Sequence, residues 1–210
     1  MATTFTHTLI YELVTLFVIL DPVSTIPIFL AATLGLARNH ALKVGAYAVS
    51  ISFVVLLVFI AGGQFLLNAL HIPMPSFQLA GSIVLLLFGL KLVLGKVTEE
   101  AAAIPDGTSS FDRAVYPLAI PGIAGPGAML TVVLLTDNNT RSFAEQALTT
   151  AELAVCLAIL LGIYTMASLL YRVLRRGGIE VVSRVFGLVV ASIAVHNMVT
   201  AIKLTFNLAP

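Results

Sequence analysis

Asp21 is a carboxylate set directly before Pro22, inside an apolar stretch that runs from about residue 9 to 36. In lipid a lone charge at such depth costs at least ~2.5–3.5 kcal/mol, so Asp21 requires a partner or a proton. Three chemistries fit it: ligand for a substrate ammonium, proton carrier, or Asx-type cap on backbone N–H groups. The motif Pro22-Val-Ser-Thr-Ile-Pro27 begins beside it, and Pro121-Gly-Ile-Ala-Gly-Pro126 repeats the proline spacing at an offset of 99. Each proline removes a backbone donor and presses its ring on the carbonyl one turn back, so a helix carrying two is expected to open between them. Opened ends present N–H groups with partial positive charge and carbonyls with partial negative charge. They suit a zwitterion, whose carboxylate meets amides at a half-helix start and whose ammonium meets carbonyls or a carboxylate. Pro22, Ser24, Thr25, Gly122, Ala124, Gly125 and Gly127 therefore join Asp21 as candidate binding residues. The glycines are expected to serve through close backbone approach and positive φ, around a small pocket.

Other polar residues fall inside apolar stretches. Asn197 is a further binding candidate, with helix-to-helix hydrogen bonding as the plainer alternative. Lys91 and His196 are candidates for coupling or gating beside Asp21, although Lys91 stands four residues from Gly95 and can snorkel to the surface. Glu12, Glu152 and Lys203 lie near the ends of apolar stretches and are expected at the membrane interface. The single cysteine, Cys156, excludes an internal disulfide and leaves no Cys/His cluster for a metal. Gly-x-Ser-x-Gly, His-Glu-x-x-His and phosphate-binding glycine loops are absent from the sequence, so it nominates no enzyme, catalytic residue or cofactor.

Long helices in a bilayer must position these residues. The 210 residues are 59% apolar and 10% charged, with mean hydropathy +1.06, too few charges to coat a water-soluble body. A net charge of +1 provides no basic field for nucleic acid. Apolar runs at about 9–36, 42–70, 76–95, 114–136, 148–172 and 182–206 match the ~20 residues that cross a bilayer. None alternates with period two, which favours six helices over a barrel. The first run has no basic residue before it and no small-residue cleavage site, so it is expected to be retained. With the N-terminus outside, Arg38, Lys43, Lys96, Arg113, Arg172, Arg175, Arg176 and Arg184 face the cytoplasm, and Arg141 and Lys203 lie outside. That asymmetry predicts a multi-pass protein of the bacterial inner membrane with both termini periplasmic. Tyr11, Tyr116 and Tyr171 are the available interfacial aromatics.

The chain also reads as two copies of one unit. At an offset of 106, Ala41, Leu42, Ala48, Val49 and Ala61 face the identical Ala147, Leu148, Ala154, Val155 and Ala167, and Gly81, Val84 and Val93 face Gly187, Val190 and Val199. Residues 1–95 and 114–210 form the two three-helix repeats, and residues 96–113 form a polar cytoplasmic linker holding six of the charges with Pro105 and Gly107. An odd number of spans inverts the second copy, an arrangement common in secondary transporters.

These residues resemble the MarC family of six-span bacterial inner-membrane proteins, which includes the small neutral amino acid transporters called SnatA. The likeness covers nearly the whole chain. It rests on Leu-Phe-x-Ile-x-Asp21-Pro22-x-x-x-Ile-Pro27-Ile-Phe and on Pro117-Leu-Ala-Ile-Pro121-Gly-Ile-Ala-Gly125-Pro126-Gly127-Ala. The family usually shows Asn-Pro-x-Gly in span one, where this chain has Asp21 and Ser24. The resemblance implies transport, often export, of glycine, alanine, serine or threonine, with a proton or sodium as possible coupling ion. Export of other amphipathic compounds such as drugs, and a non-transporting scaffold, are the competing readings. A drug pocket favours large aromatic and Met-lined walls, which the glycine-rich span-four motif does not supply.

Overall fold

The computed structural model describes residues 2–96, 104–105, 107–136 and 141–206, excepting the side chains of 2–8, 23, 24, 168–176, 179, 182 and 183. Among the described residues every regular element is helical: α1 (Ala2–Leu20), α2 (Pro22–Ala32), α3 (Arg38–Ala69), α4 (Met74–Val93), α5 (Ser110–Arg113), α6 (Ala114–Ile123), α7 (Pro126–Leu135) and α8 (Phe143–Phe206). Four helical segments are long and apolar enough to cross a membrane: Arg38–Ala69, Met74–Val93, Phe143–Ala167 and Arg184–Phe206. Two bent pairs, Leu9–Leu20 with Thr25–Ala32 and Ser110–Ile123 with Pro126–Leu135, bring the number to six if each pair is one span.

The two crossing segments of α8 stand side by side. A straight helix would put Cys156 and Val190 about 51 Å apart at 1.5 Å per residue. Yet the Cys156 thiol lies 3.8 Å from the Leu13 carbonyl, and Val190 lines a cavity with Ile19, less than two turns further along α1. The chain therefore doubles back between the segments. Contacts also fix relative direction: Thr149 meets Glu12 and Tyr164 meets Phe29, so the first α8 segment runs parallel to α1 and α2.

Only 28–33% of each single crossing window is buried inside the protein, and Phe65, Val58, Leu87, Met166 and Leu188 project outward. Such a surface would drive aggregation in water and is matched to hydrocarbon. Inside, packing is close. Gly89 and Gly187 bring α4 and the second α8 segment into backbone contact, as small residues do where lipid supplies no hydrophobic drive between helices. Several hydroxyls at depth bond to the carbonyl four residues back, Thr33 to Phe29 at 2.7 Å, Ser82 to Gln78 at 2.6 Å and Thr136 to Val132 at 2.6 Å, while Ser52 of α3 donates to the Ala119 carbonyl of α6 at 3.5 Å. Arg113, 5% exposed, donates to the Ala32 carbonyl at 2.9 Å, Pro105 at 3.2 Å and Thr108 at 3.3 Å. It thereby neutralises the negative end of α2, where a cation is favoured.

The expected opening of span one between Pro22 and Pro27 does not form. The break is Asp21 alone, at φ 44°, and α2 is helical from Pro22 with Pro27 inside it. Pro22 occupies the first position of a helix, where a missing N–H is harmless and its fixed φ helps. Asp21 keeps both helical links, accepting from the Thr25 amide and donating its own to the Phe17 carbonyl, each at 3.2 Å. The helices nevertheless meet at 43°. Span four is the one that unwinds. Tyr116 and Ile120 take extended φ/ψ, the peptides before Pro117 and Pro121 are cis, and the Ala124 amide reaches back five residues to Ala119 at 2.8 Å. Pro126 then starts α7, 56° from the preceding piece. The two proline motifs thus break their spans differently, before the motif in one and along it in the other.

Candidate functional site

A cavity of about 30 Å³ lies where the two breaks meet, walled by Asp21 and Ile19 from span one and by Pro121, Gly122, Ile123, Gly125, Gly127 and Ala128 from span four. Leu85 and Phe88 of α4 and Val190 of α8 complete it. Its volume exceeds the ~10–15 Å³ that one buried water requires. Four of the residues expected from the sequence, Asp21, Gly122, Gly125 and Gly127, converge here from positions a hundred residues apart.

The glycines act through space rather than through φ. Gly125 has φ −79°, and among the described glycines the positive values belong to Gly35, Gly95 and Gly107. A Cβ on Gly125 would sit 2.5 Å from the Pro121 carbonyl oxygen, and one on Gly122 would sit 2.9 Å from that of Pro117. On Gly127 it would meet Leu85 at 3.0 Å. The Pro117 and Pro121 carbonyls of the unwound segment occupy the room a side chain on Gly122 or Gly125 would need. Gly125 is also the N-cap of α7 and supplies no side-chain hydrogen bond. The first α7 amides include those of Gly127 and Ala128, both at the cavity wall. A helix start carries partial positive charge, so one wall favours an anion while Asp21 supplies a carboxylate.

Other expected site residues fall elsewhere. Pro22, Thr25 and Ala124 are buried but do not line the cavity. The Thr25 hydroxyl donates to the Pro22 carbonyl at 2.9 Å. The Ser24 side chain, with that of Tyr171, lies outside the described residues. Asn197 is half-buried, and His196 and Lys91 are exposed on their helices, all away from the cavity. Faces that turn to lipid and faces that turn inward are equally apolar, so depth along a span does not reveal which way a side chain points.

Glu12 has partners that the sequence did not announce. Expected at the interface, it is 2% exposed, with Oε1 2.6 Å from the Arg141 guanidinium and Oε2 accepting from the Thr149 hydroxyl at 2.8 Å. Glu152 is half-buried, with one buried oxygen lacking a hydrogen-bond partner. The available signal was the one arginine between spans four and five, expected on the same side as Glu12. Tyr164 was also missed. Fully buried, it stacks on Phe29 at 4.4 Å between ring centroids and fits because Gly45 leaves room.

A lipid-facing bundle of long helices whose two bent spans meet at a small internal cavity defines a polytopic integral membrane protein. The MarC integral membrane protein family matches residues 6–206, and the chain belongs to that family. Its relatives include a UPF0056 membrane protein of Aquifex aeolicus, 30% identical over 90% of this chain and 89% of the relative. Another is the UPF0056 membrane protein YhcE of Escherichia coli, 31% identical over 90% and 88%. A third, from Pyrococcus abyssi, is 32% identical over 92% and 93%. No solved structure matches the chain.

Proposed function

We propose that this protein is a secondary transporter of small neutral amino acids such as glycine, alanine, serine or threonine, working as an exporter. The observation carrying this reading is the convergence of Asp21 and the start of α7 on one small cavity. An α-amino acid matches both walls, its ammonium at Asp21 and its carboxylate at the amides of Gly127 and Ala128. Glycine and alanine at the wall disfavour bulky drugs. The cavity lies between elements of both halves of the chain, so loading and release require one group of helices to move against the other.

Alternating access of two inverted repeats, residues 1–95 and 114–210 joined by 96–113, supplies that movement. The packing supports this reading: α1 and α2 lie on the first α8 segment, α3 lies on α6 and α7, and α4 lies on the second α8 segment. Each broken span thus packs on the second helix of the other repeat, and the third helices pair together. Proteoliposomes holding the purified protein and unlabelled alanine should accumulate radiolabelled alanine and glycine by counterflow, with little competition from large aromatic amino acids. Counterflow indistinguishable from empty liposomes for all four named amino acids would overturn the proposal.

We further place the protein in the inner membrane with both termini periplasmic, on the charge asymmetry of its connections. A relative 25% identical is named an inner membrane protein, YhgN of Escherichia coli. Alkaline phosphatase fused after Pro210 should be active. A silent phosphatase with an active cytoplasmic reporter at the same site would reverse the orientation.

A further inference from the structure

We propose that Glu12, Arg141 and Thr149 form a latch closing the mouth of the transport path on the side of the N-terminus. The inference rests on the transport reading above and assigns its gate. Glu12 lies nine residues before Asp21, about 13.5 Å along a helix, close to the edge of a ~30 Å hydrocarbon core. Beneath it Leu16 and Leu20, each 2% exposed, follow at successive turns on the same face in the direction of Asp21. Above it Arg141, in the connection leading to α8, reaches Glu12 Oε1 at 2.6 Å and Glu145 at 3.9 Å, and Thr149 of α8 donates to Glu12 Oε2 at 2.8 Å. One carboxylate therefore ties span one to the start of span five.

The arrangement is poorly suited to pure stabilisation. A buried ion pair loses most of its attraction to desolvation, and apolar residues of equal volume often stabilise as well or better. Here the Glu12 side chain is 3% exposed and that of Arg141 25%; leaving the carboxylate unpaired while it stays buried is very unfavourable, so the contact favours two discrete states, closed and paired or open and hydrated. Glu152, one turn beyond Thr149, lies within electrostatic reach of both Arg141 and Glu12. It offers the guanidinium a second carboxylate as span five moves away from span one. Opposite the latch, Arg113 holds the far end of α2 through the Ala32 carbonyl, so a charged side chain ties down each end of span one.

The chain carries its own reporter. Cys156, its sole cysteine, is 1% exposed, one turn past Glu152, with its thiol against the Leu13 carbonyl. Opening the latch wets this position. In sealed vesicles of either orientation, a membrane-impermeant cationic methanethiosulfonate reagent should modify Cys156 slowly in the parent. It should act at least tenfold faster in Glu12→Gln and Arg141→Gln, from the N-terminal side only, while Arg141→Lys stays near the parent. Equal rates in parent and Glu12→Gln, or labelling from the opposite face, would overturn the latch.

A second arm does not depend on those variants folding as the parent does. Glu12→Cys with Arg141→Cys, in a Cys156→Ser background, should form a disulfide that blocks alanine counterflow until it is reduced. Counterflow unaffected by the crosslink would also overturn the proposal. If the reduced protein transports none of the four amino acids, the substrate reading fails, and the labelling rates still decide the latch.

Discussion

Replacing Gly187 with valine should cause the largest loss of stability of any single substitution considered for this chain. A Cβ at that position would lie 2.8 Å from both the Val93 amide nitrogen and Leu92 Cβ, and 2.9 Å from the Gly89 carbonyl oxygen. Across the same crossing, a Cβ on Gly89 would lie 2.8 Å from the Ala191 nitrogen and 3.0 Å from the Gly187 oxygen. The obstacles are mainly backbone, which cannot rotate aside as a side-chain tip can. The two helices would have to separate. In lipid they gain little hydrophobic energy by touching, so dispersion between closely fitted backbones holds the pair, and it fades within an ångström of separation. Overpacking costs about 1–3 kcal/mol in ordinary cores, and the backbone contact places Gly187→Val at or above the top of that range. By the scaling for soluble domains of this size, the unfolding midpoint should fall by about 6–12 °C. The rise in reactivity of buried Cys156 on heating in detergent measures it. Gly162 is the control, since a Cβ there meets nothing within 4 Å. Gly162→Ala should raise stability by about 0.5–1 kcal/mol through helix propensity alone. Equal midpoints for Gly187→Val and the parent would show that the crossing adjusts without cost.

Asp21→Leu should abolish alanine flux, and Asp21→Asn should retain binding while losing the dependence of flux on a pH gradient. Two properties of Asp21 are separable. Its φ of 44° is left-handed, where Asn and Asp are tolerated and most other side chains cost roughly 1–2 kcal/mol. The residue also lines the cavity. Asn keeps the joint and removes the charge, Gly keeps the joint and removes the side chain, and Leu disturbs both. Asp21→Gly should therefore fold as well as the parent and still fail to transport. Alanine flux from about pH 5 to 8, with and without a pH gradient, separates the roles, because a carboxylate that exchanges protons imposes a pH profile that an amide cannot. Superimposable profiles for the parent and Asp21→Asn would reduce Asp21 to the hinge of a bent span. Full transport by Asp21→Gly would remove it from the binding site.

The crossing segments were legible in the sequence because bilayer thickness sets a local rule. Runs expected at 42–70, 76–95 and 182–206 are helices at Arg38–Ala69, Met74–Val93 and Arg184–Phe206. The span-four motif likewise announced an irregular backbone, since Pro117 and Pro121 withhold amide donors and the glycines leave room for the carbonyls beside them. Tertiary structure decided the rest. It chose Asp21 alone as the joint of span one, because Pro22 is harmless at a helix start and Pro27 is tolerated within the packed bundle. It buried Glu12 against Arg141 and Thr149 and crossed Gly89 on Gly187, pairings between residues far apart in the chain. In water an amphipathic stripe would have marked the inward faces. In lipid the outward faces are equally apolar, so the sequence shows that a helix crosses the membrane and not which side of it touches its neighbours.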